Sequence, residues 1–194
     1  YTCFYMLKIE TLWHHLLWAA LEKGEYYLTQ KSLADYFGYS LSTVNLAYKK
    51  IEEIGAKKDF KKLLYFWATH RSFKKDIIYE TYVDFPILEI EGMIPDGAIL
   101  GGYTAAKNIL NEIPADYSKV YFYFDENKLD IVQKRYPFVK GNNNLFVLKT
   151  YPKQINYGSV ASLPQTFVDL WNLSDWYAKD FLMALERKID GLLP

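Results

Sequence analysis

Two apolar runs of helical period, broken by a glycine turn, constrain this chain more than any other feature. They lie in LTQKSLADYFGYSLSTVNLAYKKIEEIGA, Leu28 to Ala56. Thr29 can cap a helix whose inward residues are Leu33, Ala34 and Phe37. Gly38 can take the left-handed conformation that ends a helix without steric cost. Ser40 can cap the next helix, which buries Val44, Ala47, Tyr48 and Ile51 and stops at Gly55. A short helix, a tight turn and a helix with a hydroxyl-rich start must therefore follow one another.

The flanking segments extend this helical unit. Met6 to Lys23 carries Leu7, Leu12, Leu16, Leu17 and Leu21 along one face, and Gly24 closes it. Tyr26-Tyr27-Leu28 reads as a short extended segment, and Asp59 can cap a fourth helix, Phe60 to His70, with Leu63, Leu64 and Trp67 inward. The pattern then changes. Ile77 to Phe85, Lys119 to Phe124 and Asn144 to Thr150 are rich in β-branched and aromatic residues and read as strands. Between and after them come helices at Thr104–Leu110, Asn127–Arg135, Pro164–Asn172 and Ser174–Leu192, and GNNN from Gly141 to Asn144 reads as a turn. The expected fold class is α+β, with residues 1–76 helical and residues 77–194 a mixed α/β domain built on a mixed sheet.

Charge divides at the same place. Residues 1–76 hold 12 Lys/Arg against 8 Asp/Glu, a net of +4, while residues 77–194 hold 11 against 15, a net of −4. A basic half joined to an acidic half points to one half meeting a polyanion. With one cysteine, Cys3, there is neither a disulfide framework nor a cysteine metal site, which fits a reducing cytoplasm. No apolar run approaches the roughly 20 residues of a membrane span, so no membrane partner is expected. The chain opens on Tyr1 rather than Met, so a preceding piece is expected, and no signal peptide or lipidation site is read in the rest.

Gln30 to Lys49 resembles the helix-turn-helix DNA-binding family over its whole motif. Ala34 stands where the two helices approach closely and Gly38 in the turn, with Leu33, Phe37, Tyr39, Val44 and Ala47 in the buried positions. In that arrangement the first helix steadies the second, whose N-terminal end enters the major groove. Here that end offers Ser40, Ser42, Thr43 and Asn45, short side chains suited to base edges or phosphates. Lys49 and Lys50, then Lys57, Lys58, Lys61 and Lys62, are candidates for neutralising backbone phosphates of double-stranded DNA. The plainer reading stays open: Ser40 as a cap only, and Lys49-Lys50 as a solvated face. A winged helix needs two strands after the recognition helix, but only Ala56–Lys58 separates Gly55 from Asp59, so the fold is winged-helix-like with its wing short or absent.

The whole chain is similar to AbiEi-type antitoxins and related transcriptional regulators of viral defence systems. Three stretches carry the likeness: LLYFWATHR (Leu63–Arg71), IPDGAILGGYTAAKNIL (Ile94–Leu110) and VASLPQTFVDLWNLSDWYAKDFLMALERKI (Val160–Ile189). The resemblance implies a helix-turn-helix joined to an α/β C-terminal domain, repression of the protein's own operon, and antagonism of a nucleotidyltransferase toxin. A homodimer is compatible with it, and no cofactor is implied.

An enzyme is the alternative from another class. Gly101-Gly102 before a helix resembles the nucleotidyltransferase pattern, in which glycines admit a triphosphate and a nearby Asp-x-Asp holds Mg²⁺. The following strand, Val120 to Phe124, contains no carboxylate, and Asp125 and Glu126 are adjacent rather than alternate. The expectation is a related fold without the catalytic carboxylates, hence no catalytic and no metal residues. A third reading is an adaptor whose helix-turn-helix binds protein. His14-His15 read as packing and surface residues, and His70 as a helix-end packing residue within reach of phosphate. Asp169 reads as an interior hydrogen-bonding group. Trp171, Trp176, Tyr177 and Phe181 read as core, any exposed member marking a protein interface.

Overall fold

The helical period of the first half is realised, in a computed structural model, as α1 (Thr2–Lys23), α2 (Gln30–Phe37), α3 (Leu41–Glu53) and α4 (Phe60–His70). The structure describes residues 2–193 of the backbone and residues 8–193 of the side chains, so the side chains of Cys3, Met6 and Leu7 lie outside the described residues. Local chemistry sets the ends. Thr29 Oγ1 accepts the Ser32 amide at 3.1 Å, Ser40 Oγ accepts that of Thr43 at 3.2 Å, and Asp59 Oδ1 accepts that of Lys62 at 2.8 Å. Each such cap contributes about 1 kcal/mol by satisfying an amide the helix leaves orphaned. Gly38 ends α2 at φ 66°, with its own amide bonded to the Ala34 carbonyl.

The second half contains β1 (Ile77–Thr81), α5 (Ile87–Gly92), β2 (Ile99–Gly101), α6 (Gly102–Leu110), β3 (Val120–Phe124), α7 (Leu129–Arg135), β4 (Leu145–Lys149), α8 (Leu163–Trp171) and α9 (Ala178–Asp190). The strands form one sheet in the order β1-β4-β3-β2. β3 and β4 run parallel, and the two outer pairs are antiparallel. The protein is thus α+β with a mixed sheet.

Two short elements have no periodic signature in the sequence. α5 spans one and a half turns, and β2 is held by its ladder with β3 and a bridge from Leu100 to Val160. β1 ends at Thr81 rather than continuing to Phe85. There the Asn144 side chain takes over from the ladder, accepting the Val83 amide at 2.8 Å and donating to the Val83 carbonyl at 2.9 Å. Asn144 is therefore more than a turn residue.

β3 organises the core because all five of its residues are buried. Val120, Phe122 and Phe124 pack on one side with Ile90 of α5 and Val132 of α7. Tyr121 and Tyr123 face the other side, toward a cluster that runs from Leu12, Leu17, Leu33, Val44 and Leu64 to Phe167 and Phe181. That cluster joins α1–α4 to α8 and α9, so the apolar core is continuous across residue 76. Burial of each such side chain contributes about 1.5–3 kcal/mol.

Candidate nucleic-acid interface

α3 is a helix with one face fixed and the other free. Val44, Ala47 and Ile51 are buried against the α1–α2 side. Trp13 of α1 donates its indole N–H to the Ala47 carbonyl at 3.4 Å, and Tyr48 donates to the Leu28 carbonyl at 2.6 Å. On the opposite side Ser42, Asn45 and Lys49 are exposed. Their spacing of three and four residues aligns them along one stripe of the helix.

The expected contact residues do not all share that stripe. Ser40 is exposed, and its hydroxyl lies 3.0 Å from that of Ser42 and 2.9 Å from that of Thr43. Thr43 is only 8% exposed, its hydroxyl drawn into the cap and turned away from Asn45. Lys50 pairs with Glu53 at 3.2 Å and Lys57 with Glu52 at 2.9 Å, all four side chains exposed. Exposed pairs of this kind are weak and can exchange for a phosphate. Lys49 and Lys58 have no ion-pair partner among the described residues. Lys61 is committed elsewhere, reaching α9 at Asp190 (2.7 Å) and Glu186 (3.1 Å), whose hydrogen bonds raise its pKa.

Leu41 and Leu46 also emerge on the free side of α3, 57% and 41% exposed, and sequence reasoning missed them. Leu46 is out of phase with Val44, Ala47 and Ile51, whereas Leu41 keeps their spacing and is exposed at the first position of the helix. Exposed leucines beside polar groups suit the apolar edge of a thymine. Between α3 and α4 lie only residues 54–59, and no strand is formed there.

The glycine pair of the second half has a packing role. Gly102 sits at φ 52°, and a Cβ there would stand 2.8 Å from Tyr121 Cδ2. Gly101 pairs with Tyr121 in the ladder, so Asp125, just past the end of β3, lies four residues further on, about 13 Å at ordinary strand rise. Asp125 caps its own turn by accepting the Asn127 amide at 3.0 Å, and Glu126 pairs with Lys149 at 2.7 Å. The glycines and these carboxylates do not converge. Among the described residues no group of three or more His, Cys, Asp or Glu has metal-holding geometry.

A buried polar chain runs between the two halves instead. Arg71, at the end of α4, contacts Asp169 of α8 at 3.4 Å, Glu10 of α1 at 3.6 Å and Asp76 at 2.5 Å. Tyr123 donates to Asp169, and Gln165 donates to Asp169 at 2.8 Å and to the Tyr123 hydroxyl at 3.0 Å. Burial pushes the Asp169 carboxyl up to about 6, opposed by Arg71. His14 bonds to Ser162 at 2.6 Å and to Tyr151 at 2.9 Å, and burial holds it neutral with a pKa lowered to about 3. His14 and Asp169 are thus interior hydrogen-bonding groups. In the tail, Tyr177 and Phe181 are core, whereas Trp171 and Trp176 are 42% and 78% exposed. No protein-family model matches the chain, and neither a curated protein nor a solved structure matches it.

Proposed function

We propose that the protein is a sequence-specific DNA-binding transcriptional regulator of antitoxin type. In this reading α2, the Gly38 turn and α3 form a helix-turn-helix, and α3 enters the major groove. The carrying observation is the stripe of Ser42, Asn45 and Lys49, exposed on a helix whose other face is anchored in the core. Short hydrogen-bonding groups near the helix start read bases, while Lys49, Lys50, Lys57 and Lys58 supply the phosphate term. The net charge of +4 on residues 1–76 adds the long-range attraction.

The antitoxin assignment rests on the resemblance of three stretches to AbiEi-type proteins. They correspond to α4, the β2–α6 unit and the α8–α9 tail, which pack on one another around Phe167 and Phe181. Antagonism of a nucleotidyltransferase toxin and a cytoplasmic location belong to the same reading. The second half is taken as a non-catalytic module on a nucleotidyltransferase-like fold, because Gly101-Gly102 and Asp125-Glu126 are separated along β3.

The test is titration of the full chain against duplex DNA from upstream of its own gene, beside a scrambled duplex. Neutralising four phosphates predicts a log–log salt slope of about −3.6 on both duplexes and tighter binding to the first. Affinity that is flat with salt, or equal on the two duplexes, contradicts the proposal.

A further inference from the structure

A groove of about 590 Å³ opens where β1, β3 and β4 meet the loop between α8 and α9. Its floor is Tyr121 of β3 stacked on Phe146 of β4, with ring centroids 4.8 Å apart and planes 13° from parallel. Phe73 and Lys74 wall it on one side and the α8–α9 loop, Asn172 to Asp175, on the other. Three features are unspent. Tyr121 is 3% exposed, yet its hydroxyl has no hydrogen-bond partner among the described residues. Lys74 and Glu80 both line the groove, are exposed, and have no ion-pair partner among the described residues. Trp176, next in sequence to the lining residue Asp175, is 78% exposed.

An indole this exposed beside an aromatic-floored hole is uncommon on a surface that meets only water. A patch that carries both a projection and a recess, and both an unpaired cation and an unpaired anion, is complementary to itself. Self-complementarity is what a two-fold interface requires, since each contact is made twice with the roles exchanged.

We propose that a second copy of this chain occupies the groove, Trp176 of each protomer entering the recess of the other. The incoming indole lies against the floor of the groove, with the Tyr121 hydroxyl as acceptor for its N–H. Lys74 of one protomer faces Glu80 of its partner on both sides of the axis. Lys119, already bonded to Asp175 at 2.5 Å, keeps its own partner and leaves that wall neutral. The interface lies on the sheet, is made without α3, and holds whether or not the protein binds DNA.

Sedimentation equilibrium of the full chain without DNA tests this. The wild type is expected to be a dimer at micromolar concentration. Trp176→Ala should raise the dissociation constant at least about tenfold, as for a central aromatic anchor. Lys74→Glu and Glu80→Lys should each weaken the dimer, and the double swap should restore it. The altered side chains are exposed, so each variant should keep the wild-type circular-dichroism spectrum, and its melting temperature at micromolar concentration should fall only by the dimer stabilisation it loses. A wild type that stays monomeric leaves the groove to some other molecule and overturns the proposal. So does a dimer indifferent to Trp176→Ala, or a double swap that fails to restore.

Discussion

Arg71 and Asp169 lie 98 residues apart in sequence and meet in the interior, guanidinium Nε to carboxylate Oδ1, at 3.4 Å. Around this contact stand Glu10, Asp76, Tyr123 and Gln165, so α1, α4, α8 and β3 all converge on one guanidinium. A single cation faces three carboxylates there. Burial of so much charge is tolerable because each carboxylate also has hydrogen-bond donors or shares the arginine.

Removing the arginine should therefore be costly. Arg71→Met leaves Asp169 buried without its cation and is expected to destabilise by about 3–5 kcal/mol in urea unfolding. Arg71→Met with Asp169→Leu should recover part of that loss, because the most deeply buried of the three carboxylates left without the arginine is gone. Additive losses in the double variant would show that the two residues act separately.

Acid stability should report buried groups that act with opposite signs. The Asp169 carboxyl titrates at about 6 in the fold against an ordinary 3.8, so the folded state holds a proton the unfolded chain lacks between those values. Its contribution falls as pH rises through that window. His14 and His15, lowered by burial to about 3 and about 4 from 6.5, act the other way. Their contribution is complete above 6.5 and is lost as pH falls. The histidines make stability fall from neutral pH to about pH 4, a loss that Asp169 opposes together with Glu10 and Glu22, whose carboxyls burial also raises. Asp169→Asn removes one opposing group and should steepen that loss. Parallel urea midpoints for the two proteins across the range would refute this assignment.

The free face of α3 makes a residue-specific prediction. Asn45→Ala and Ser42→Ala should cost about 1–3 kcal/mol on the specific duplex and little on a scrambled one, if each reads a base. Lys49→Ala should weaken both duplexes alike and flatten the salt slope by about 0.9. Thr43→Ala should behave differently, lowering unfolding stability by about 0.5–1.5 kcal/mol through loss of its hydroxyl contact with Ser40 while sparing specificity. Loss of specificity in Thr43→Ala with unchanged stability would place its hydroxyl on the DNA after all.

Two glycines with positive φ should tolerate alanine unequally. Gly38 has open space around it, so Gly38→Ala pays only for a left-handed backbone, about 1–2 kcal/mol. Gly102→Ala carries the same backbone strain and adds a Cβ 2.8 Å from the Tyr121 ring, at the centre of the sheet. Thermal melts should show the larger drop at Gly102, and the reverse order would mean that α6 can slide off β3.

The sequence by itself determined what depends on neighbours within a few residues. Thr29, Ser40 and Asp59 cap helices because each hydroxyl or carboxylate reaches an amide three positions on. Gly38 ends α2 because a left-handed residue is cheapest without a Cβ. The apolar period of α1–α4 and the strand character of VYFYF are equally local, and so was the α+β class. What sequence left open involved partners far along the chain. β2 is a strand only because β3 lies beside it, and β1 stops where the Asn144 amide replaces the ladder. Which hydroxyl at the start of α3 faces outward depended on how α3 seats on α1 and α2, and that seating turned Thr43 inward and Asn45 outward. The tail aromatics had one composition but two fates, Tyr177 and Phe181 meeting Tyr103 in the core while Trp171 and Trp176 met solvent. Hydrophobicity says that a side chain gains by burial; only the assembled packing decides which side chains find room.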